Sequence, residues 1–325
     1  MSSSFEPLDG APRQRDDVPS ELAQIADTVF LEERPERFPW LNVVLFLVTC
    51  LSTLVVGAVQ MDAFTNTIGN RAGGLFGEIL RSPSLLLAGL PFCLAIMTIL
   101  LAHEMGHYLA CRYYGISASL PYFIPFPSII GTMGAFIRIR SPIHHRSALL
   151  DVGVAGPIAG FVLAIPALVI AMPLSRMQVL DGTEGFFTLG EPLIFKLIAA
   201  VMGMTPPEGM DLMIHPIGLA AWFGFFATAM NLLPVGQLDG GHIAYALFGR
   251  FHKRVSQGFL FTLVPLGIFY WQGWLLWTAI LLFIGLRHPV TMDDSAPLSR
   301  RHVWLGWIAL AMLILCFTPM PFSIG

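Results

Sequence analysis

The chain has 325 residues, of which 55% are hydrophobic and only 12% charged, with a formal net charge of −3 and a mean hydropathy of +0.70. Soluble globular domains carry about 25% charged residues, so this composition excludes an ordinary soluble domain and points to an integral membrane protein. The absence of a basic cluster interleaved with aromatics excludes a nucleic-acid partner.

Residues 1–40 are polar and rich in Ser, Pro and mixed charge (MSSSFEPLDGAPRQRDDVPSE at the start). They lack the basic start and early apolar run of a cleavable signal peptide and read as a disordered cytoplasmic tail. A bilayer-crossing helix needs about 20 apolar residues. Candidate spans lie near 41–60, 84–112, 148–174, 216–235, 257–271, 273–286 and 303–318. The expected fold class is an all-α polytopic membrane protein of about seven transmembrane helices, within a range of six to eight. Pro91 is expected to kink or tilt the second span. The fifth and sixth flank YWQGW and form either a tight hairpin or one re-entrant unit. Cys50, Cys93, Cys111 and Cys316 lie in or beside apolar runs with no CxxC pair, as buried free thiols do.

With the N-terminus cytoplasmic, 14 of the 18 Lys and Arg residues lie inside, a clear positive-inside bias. Arg71, Arg81, Arg176 and Lys196 fall outside, next to the acidic 175–215 segment. On this topology the span at 84–112 runs inward, and AHEMGHYLACRYYG sits at its inner end.

His103 and His107 are four apart, so a helix stacks them on one face. Two imidazoles so spaced bind a single zinc ion. Glu104 completes an HExxH pattern, in which the glutamate acts as general base on a water whose pKa the metal lowers to about 7. A carboxylate between two imidazoles at membrane depth costs roughly 2.5–3.5 kcal/mol or more, and a cation compensates it. A catalytic zinc takes a third protein ligand. Asp239, in MNLLPVGQLDGGH at the inner end of the fourth span, has the depth, side and chemistry required. Gly236, Gly240, Gly241 and Pro234 break the backbone around it, as happens where backbone lines a cavity. Asp239 as helix cap and His242 as rival ligand are the competing readings.

HEMGH on one span and NLLPVGQLDGG on a later one, with AGPIAG at 155–160 between them, resemble the site-2 protease family of intramembrane zinc metalloproteases. The resemblance covers about residues 84–249. It implies one zinc ion per chain on His103, His107 and Asp239, with Glu104 as general base. Asn231 corresponds to an asparagine that contacts the substrate backbone or the developing oxyanion. Gly156 and Gly160 correspond to small residues that let helices approach. The implied organisation is a first span with an external loop at 41–83, the catalytic core at 84–249 and a C-terminal transmembrane extension at 250–325. The 175–215 segment is too short for a PDZ domain and no CBS pair follows, so the resemblance is to the compact branch lacking both.

Residues 119–140 form neither a good span nor a soluble loop. Pro121, Pro125 and Pro127 forbid a regular helix, GTMG at 131–134 reads as a turn, and AFIRIR alternates like a strand. A short β-hairpin at the membrane edge is expected, matching the family's re-entrant hairpin. Its strand edge would hold an unwound substrate by strand addition. The implied substrates are single-span membrane proteins cut near the cytoplasmic side, and the short loops and compact form point to a bacterial inner membrane. A metal-ion transporter or sensor using the same histidines is the alternative. An aspartyl protease built on Asp151 and Asp239 leaves HEMGH unexplained, and an inactive scaffold leaves the intact residue set unexplained.

Overall fold

A computed structural model describes residues 38–65, 81–179, 187–285 and 297–324, with 77, 79, 291 and 293. The expected N-terminal tail lies outside these but for its last three residues. In chain order the helices are α1 (Trp40–Thr65), α2 (Leu90–Tyr113), α3 (Arg146–Ala171), α4 (Leu193–Val201), α5 (Pro216–Asn231), α6 (Asp239–Phe248), α7 (His252–Phe269), α8 (Gly273–Ile284) and α9 (Arg300–Cys316). The strands are β1 (Tyr122–Pro125), β2 (Thr132–Phe136), β3 (Arg176–Val179), β4 (Phe187–Leu189), β5 (Met210–Met213) and β6 (Phe322–Ile324).

All seven expected spans contain a helix, and among the described residues three of the helices are long and apolar enough to cross a membrane: Trp40–Thr65, Pro83–Tyr113 and Arg146–Leu174. The span expected to reach 235 ends at Asn231 because Pro234 and Gly236 follow. The 12 residues of α8 reach about 18 Å at 1.5 Å per residue, short of a hydrocarbon core of about 30 Å. Pro91 falls at the start of α2, not in its interior. It stands in the helix's first turn, after a 3₁₀ segment at Pro83–Gly89, where its missing N–H has no partner to lose.

The centre is a three-helix core in which α2, α3 and α5 pack on one another, with α6 and α9 against α3. Phe92, Ile96 and Ile99 of α2 meet Ala164 and Leu168 of α3 and Ala220, Ala221 and Phe225 of α5 in one buried cluster. The alanines let the helices come close while the aromatic and branched side chains fill the gaps. Small facing residues are what packing between helices demands where lipid is as apolar as leucine.

β1 and β2 form the expected hairpin, with Tyr122 opposite Phe136 and Pro125 opposite Thr132. Its turn is not at 131–134. It lies at 126–131, where the Ser128 hydroxyl accepts from the N–H groups of Ile130 and Gly131 and Gly131 turns at φ +82°. Thr132 of GTMG starts β2, which ends at Phe136, and antiparallel pairing resumes within AFIRIR, where Ile139 bridges Ala118 and the Arg138 carbonyl and Arg140 N–H bond the backbone of Ser119 and Ser117. The hairpin is fastened to α1. The Ser52 hydroxyl donates to the Gly131 carbonyl at 2.6 Å, and the Asn42 amide donates to the Leu120 and Pro121 carbonyls at 2.9 Å. Phe46 and Phe123 meet edge to face.

The 175–215 segment contains α4, β3, β4 and β5, of which β3 pairs antiparallel with β5. β4 pairs with β6 at the far end of the chain. None of these small elements was expected.

Candidate metal centre

α2 delivers His103, Glu104 and His107, all buried. Helical spacing stacks the two histidines, and their rings meet edge to face at 4.9 Å between centroids. Each imidazole faces a glycine of α3. A β-carbon at Gly156 would lie 2.1 Å from His107 Nε2, and one at Gly160 would lie 3.2 Å from His103 Cβ. These glycines do more than bring two backbones together: they leave the space that the imidazoles fill.

Asp239 arrives from the opposite side. After α5 ends, residues 232–238 fold back and α6 starts at Asp239. The fold-back is tight, since a β-carbon at Gly240 would lie 2.0 Å from the Leu232 carbonyl oxygen. Ser256 of α7 holds the Pro234 carbonyl at 2.9 Å. Asp239 is the first residue of α6, yet Leu238 occupies the cap position and no side chain caps the helix. The carboxylate turns to α2 instead. Its Oδ2 lies 3.2 Å from His103 Nε2 and 3.3 Å from His107 Nε2, and the two nitrogens are 3.2 Å apart.

His107 Nδ1 donates to the Val152 carbonyl at 2.7 Å. A neutral imidazole has one N–H, so this bond turns the Nε2 lone pair inward. Asn231 Nδ2 lies 3.3 Å from His103 Nε2. Glu104 is next to these groups on α2, and its carboxylate meets the backbone of Ile137, just past β2.

The donor set fits zinc. Two imidazole nitrogens and one carboxylate oxygen form a triangle with edges of 3.2–3.3 Å. Ligands about 2.0–2.1 Å from a tetrahedral zinc are separated by roughly 3.3–3.4 Å. His103 Nε2 has a single lone pair or proton but three partners within 3.3 Å, a crowding that a central cation relieves. Among the described residues this is the one group of three or more His, Cys, Asp or Glu side chains that converge so closely. His242 does not belong to it. Asp151 is also elsewhere: its carboxylate takes Tyr114, Arg301 and His302, which leaves no aspartyl pair with Asp239.

The sequence reading did not find Val152 or the room made by Gly156. A backbone carbonyl has no sequence signature, and AGPIAG signals close helices without saying what approaches.

A buried His–His–Asp cluster within apolar helices is the arrangement of a candidate metal centre of the HExxH type. The family model described as peptidase family M50 matches residues 91–270. The chain belongs to this family, whose site-2 protease motifs it carries. It is 30% identical over 87% of its length to a rice protein (Oryza sativa subsp. indica) named probable zinc metalloprotease EGY2, chloroplastic. It is 32% identical over 72% of its length to the Arabidopsis thaliana protein named probable zinc metalloprotease EGY1, chloroplastic. The alignments cover 50% and 43% of those proteins, so the chain spans about half the length of the curated relatives it matches. Their names describe them as chloroplastic, which sits uneasily with the expected bacterial inner membrane; a membrane setting is what the apolar helices carry.

Proposed function

We propose that this chain is an intramembrane zinc endopeptidase that cuts single-span membrane proteins within their transmembrane segments, near the face bearing the basic loops. One zinc ion per chain is held by His103, His107 and Asp239. The observation that carries this reading is the convergence of those three side chains, with ligand atoms within 4.8 Å of one another, from positions 136 residues apart in sequence.

A zinc ion bound there lowers the pKa of water and polarises a peptide carbonyl. Glu104 takes a proton from the attacking water and delivers it to the departing amine. The Asn231 amide, beside His103, donates to the substrate carbonyl oxygen as negative charge grows on it. Val152 keeps the His107 ring in the tautomer that leaves Nε2 free to ligate. The hairpin supplies backbone N–H and C=O groups to a substrate held extended, which a protease needs because a helix shields its own peptide bonds. The basic loops orient the N-terminus toward the cytoplasmic side.

The test uses the whole chain in liposomes with a panel of single-span proteins. Wild type should contain one zinc per chain and cleave a substrate. Glu104→Gln should keep the zinc and lose at least about 100-fold in turnover, the usual worth of a general base. Asp239→Ala should lose both. Folded protein without stoichiometric metal, or cleavage that survives complete chelation, overturns the reading. Zinc flux across the vesicle without bond cleavage would favour the transporter instead.

A further inference from the structure

Asp151 is 8% exposed, on the second turn of α3, and the proposed mechanism does not use it. A buried carboxylate is costly unless it is paired and hydrogen-bonded. Its partners come from two other helices. The Tyr114 hydroxyl, one residue past the end of α2, donates to Oδ2 at 2.6 Å. At the start of α9, Arg301 Nη2 is 3.4 Å from Oδ2 and His302 Nε2 is 3.7 Å from Oδ1. Burial, then the hydrogen bond to Asp151, pushes the Tyr114 phenol up to about 12. It therefore remains a donor at physiological pH.

The next residue is Val152, 2% exposed, whose carbonyl receives His107 Nδ1 at 2.7 Å. The turn of α3 that orients a candidate metal ligand is thus the turn that Asp151 ties to the end of α2 and the start of α9. Its 2.6 Å hydroxyl bond is in the range of short charge-assisted hydrogen bonds. α9 also packs along α3 and α5, so the connection runs through a continuous interface.

We infer that Asp151 is a positioning residue through which the C-terminal helix α9, by Arg301 and His302, sets the Val152 carbonyl and with it the affinity of the His107 site for zinc. The inference rests on the metal-centre reading above. It makes the C-terminal helix part of the site's support, although α9 lies beyond the 91–270 family match and places no residue in the cluster.

The test measures zinc affinity of the full-length protein in detergent by competition with a chelator of known affinity, and records the spectrum of the cobalt-substituted form. Asp151→Asn keeps the size and a hydrogen-bond acceptor but removes the charge. It should weaken zinc about 10- to 100-fold, the range seen when groups that orient metal ligands are changed, and should shift the cobalt bands. Arg301→Gln should move both in the same direction. Adding it to Asp151→Asn should bring little more, because both act through one carboxylate. Tyr114→Phe and Arg301→Gln carry the test should Asp151→Asn fail to fold. Variants that lower the thermal midpoint but keep wild-type zinc affinity and cobalt spectrum overturn the inference and leave Asp151 a packing residue. Absence of zinc from the wild type would overturn the metal reading itself; zinc in the wild type with unshifted variants overturns this inference alone.

Discussion

Gly156 and His107 exclude one another's growth: a methyl group at 156 would lie 2.1 Å from the Nε2 atom that faces Asp239. No rotamer change of the methyl is available, so the ring must move. Overpacking a filled interior costs about 1–3 kcal/mol. Gly156→Ala should therefore lower zinc affinity about 5- to 140-fold, converting that cost at 1.4 kcal/mol per decade. Gly160→Ala, where the nearest atom is 3.2 Å away, should have a smaller effect. Metal analysis after dialysis against graded chelator would order the two.

The hairpin's attachment to α1 is separable from the metal centre. Gly131 has φ +82°, and a β-carbon there would lie 2.9 Å from the Ser52 carbonyl oxygen. Gly131→Ala should lower kcat/KM about tenfold, given roughly 1–2 kcal/mol for an L residue in that conformation. Ser52→Ala removes one donor, worth about 1 kcal/mol, and should act mainly on KM. In both variants zinc content should equal wild type. Loss of zinc in either would show that the hairpin supports the metal site instead of the substrate.

Ser256 donates to the Pro234 carbonyl from a fully buried position. Ser256→Ala leaves that carbonyl without this donor, at a cost of about 1–3 kcal/mol. The 232–238 turn should loosen, and Asp239 with it. Zinc release should quicken more than the thermal midpoint falls, which stopped-flow chelation and a melting curve would compare.

His215, just before α5, accepts the Ile217 N–H on Nδ1 and packs against Phe64. Burial holds its pKa below the ordinary 6.5. The unfolded chain then binds the proton first, so the stability from neutral His215 is complete above pH 6.5 and is lost as pH falls below it. The thermal midpoint in detergent should drop between pH 7.5 and pH 5, and His215→Asn should flatten that drop. A wild-type midpoint indifferent to pH across this range would contradict the assignment.

The sequence made the cluster's members legible because each carried a local cost. Two histidines and a glutamate at membrane depth need a cation, and an aspartate among glycines at matched depth is a natural third donor. The hairpin was legible from its prolines, but its turn was misplaced by several residues. The Ser128 hydroxyl and the Ser52 contact at Gly131 select the true turn, and the latter partner lies 79 residues away. Asp151 enters the sequence analysis only as half of an aspartyl pair with Asp239, not as a support of the cluster. Its partners are 37 and 150 residues distant, and no local pattern joins them. The short elements at 176–213 were missed because β3 and β4 are held by pairing with β5 and β6 rather than by alternation of their own.

α1 precedes the hairpin in the chain and lies wholly upstream of the family match, which begins at residue 91. A lone pair of strands is marginally stable in water, and this one does not have to stand alone. Because synthesis runs from the N-terminus, the wall that grips the loop is made before the loop emerges. The strands are laid down on a surface already in place, so the order of biosynthesis, and not only the finished packing, favours their assembly.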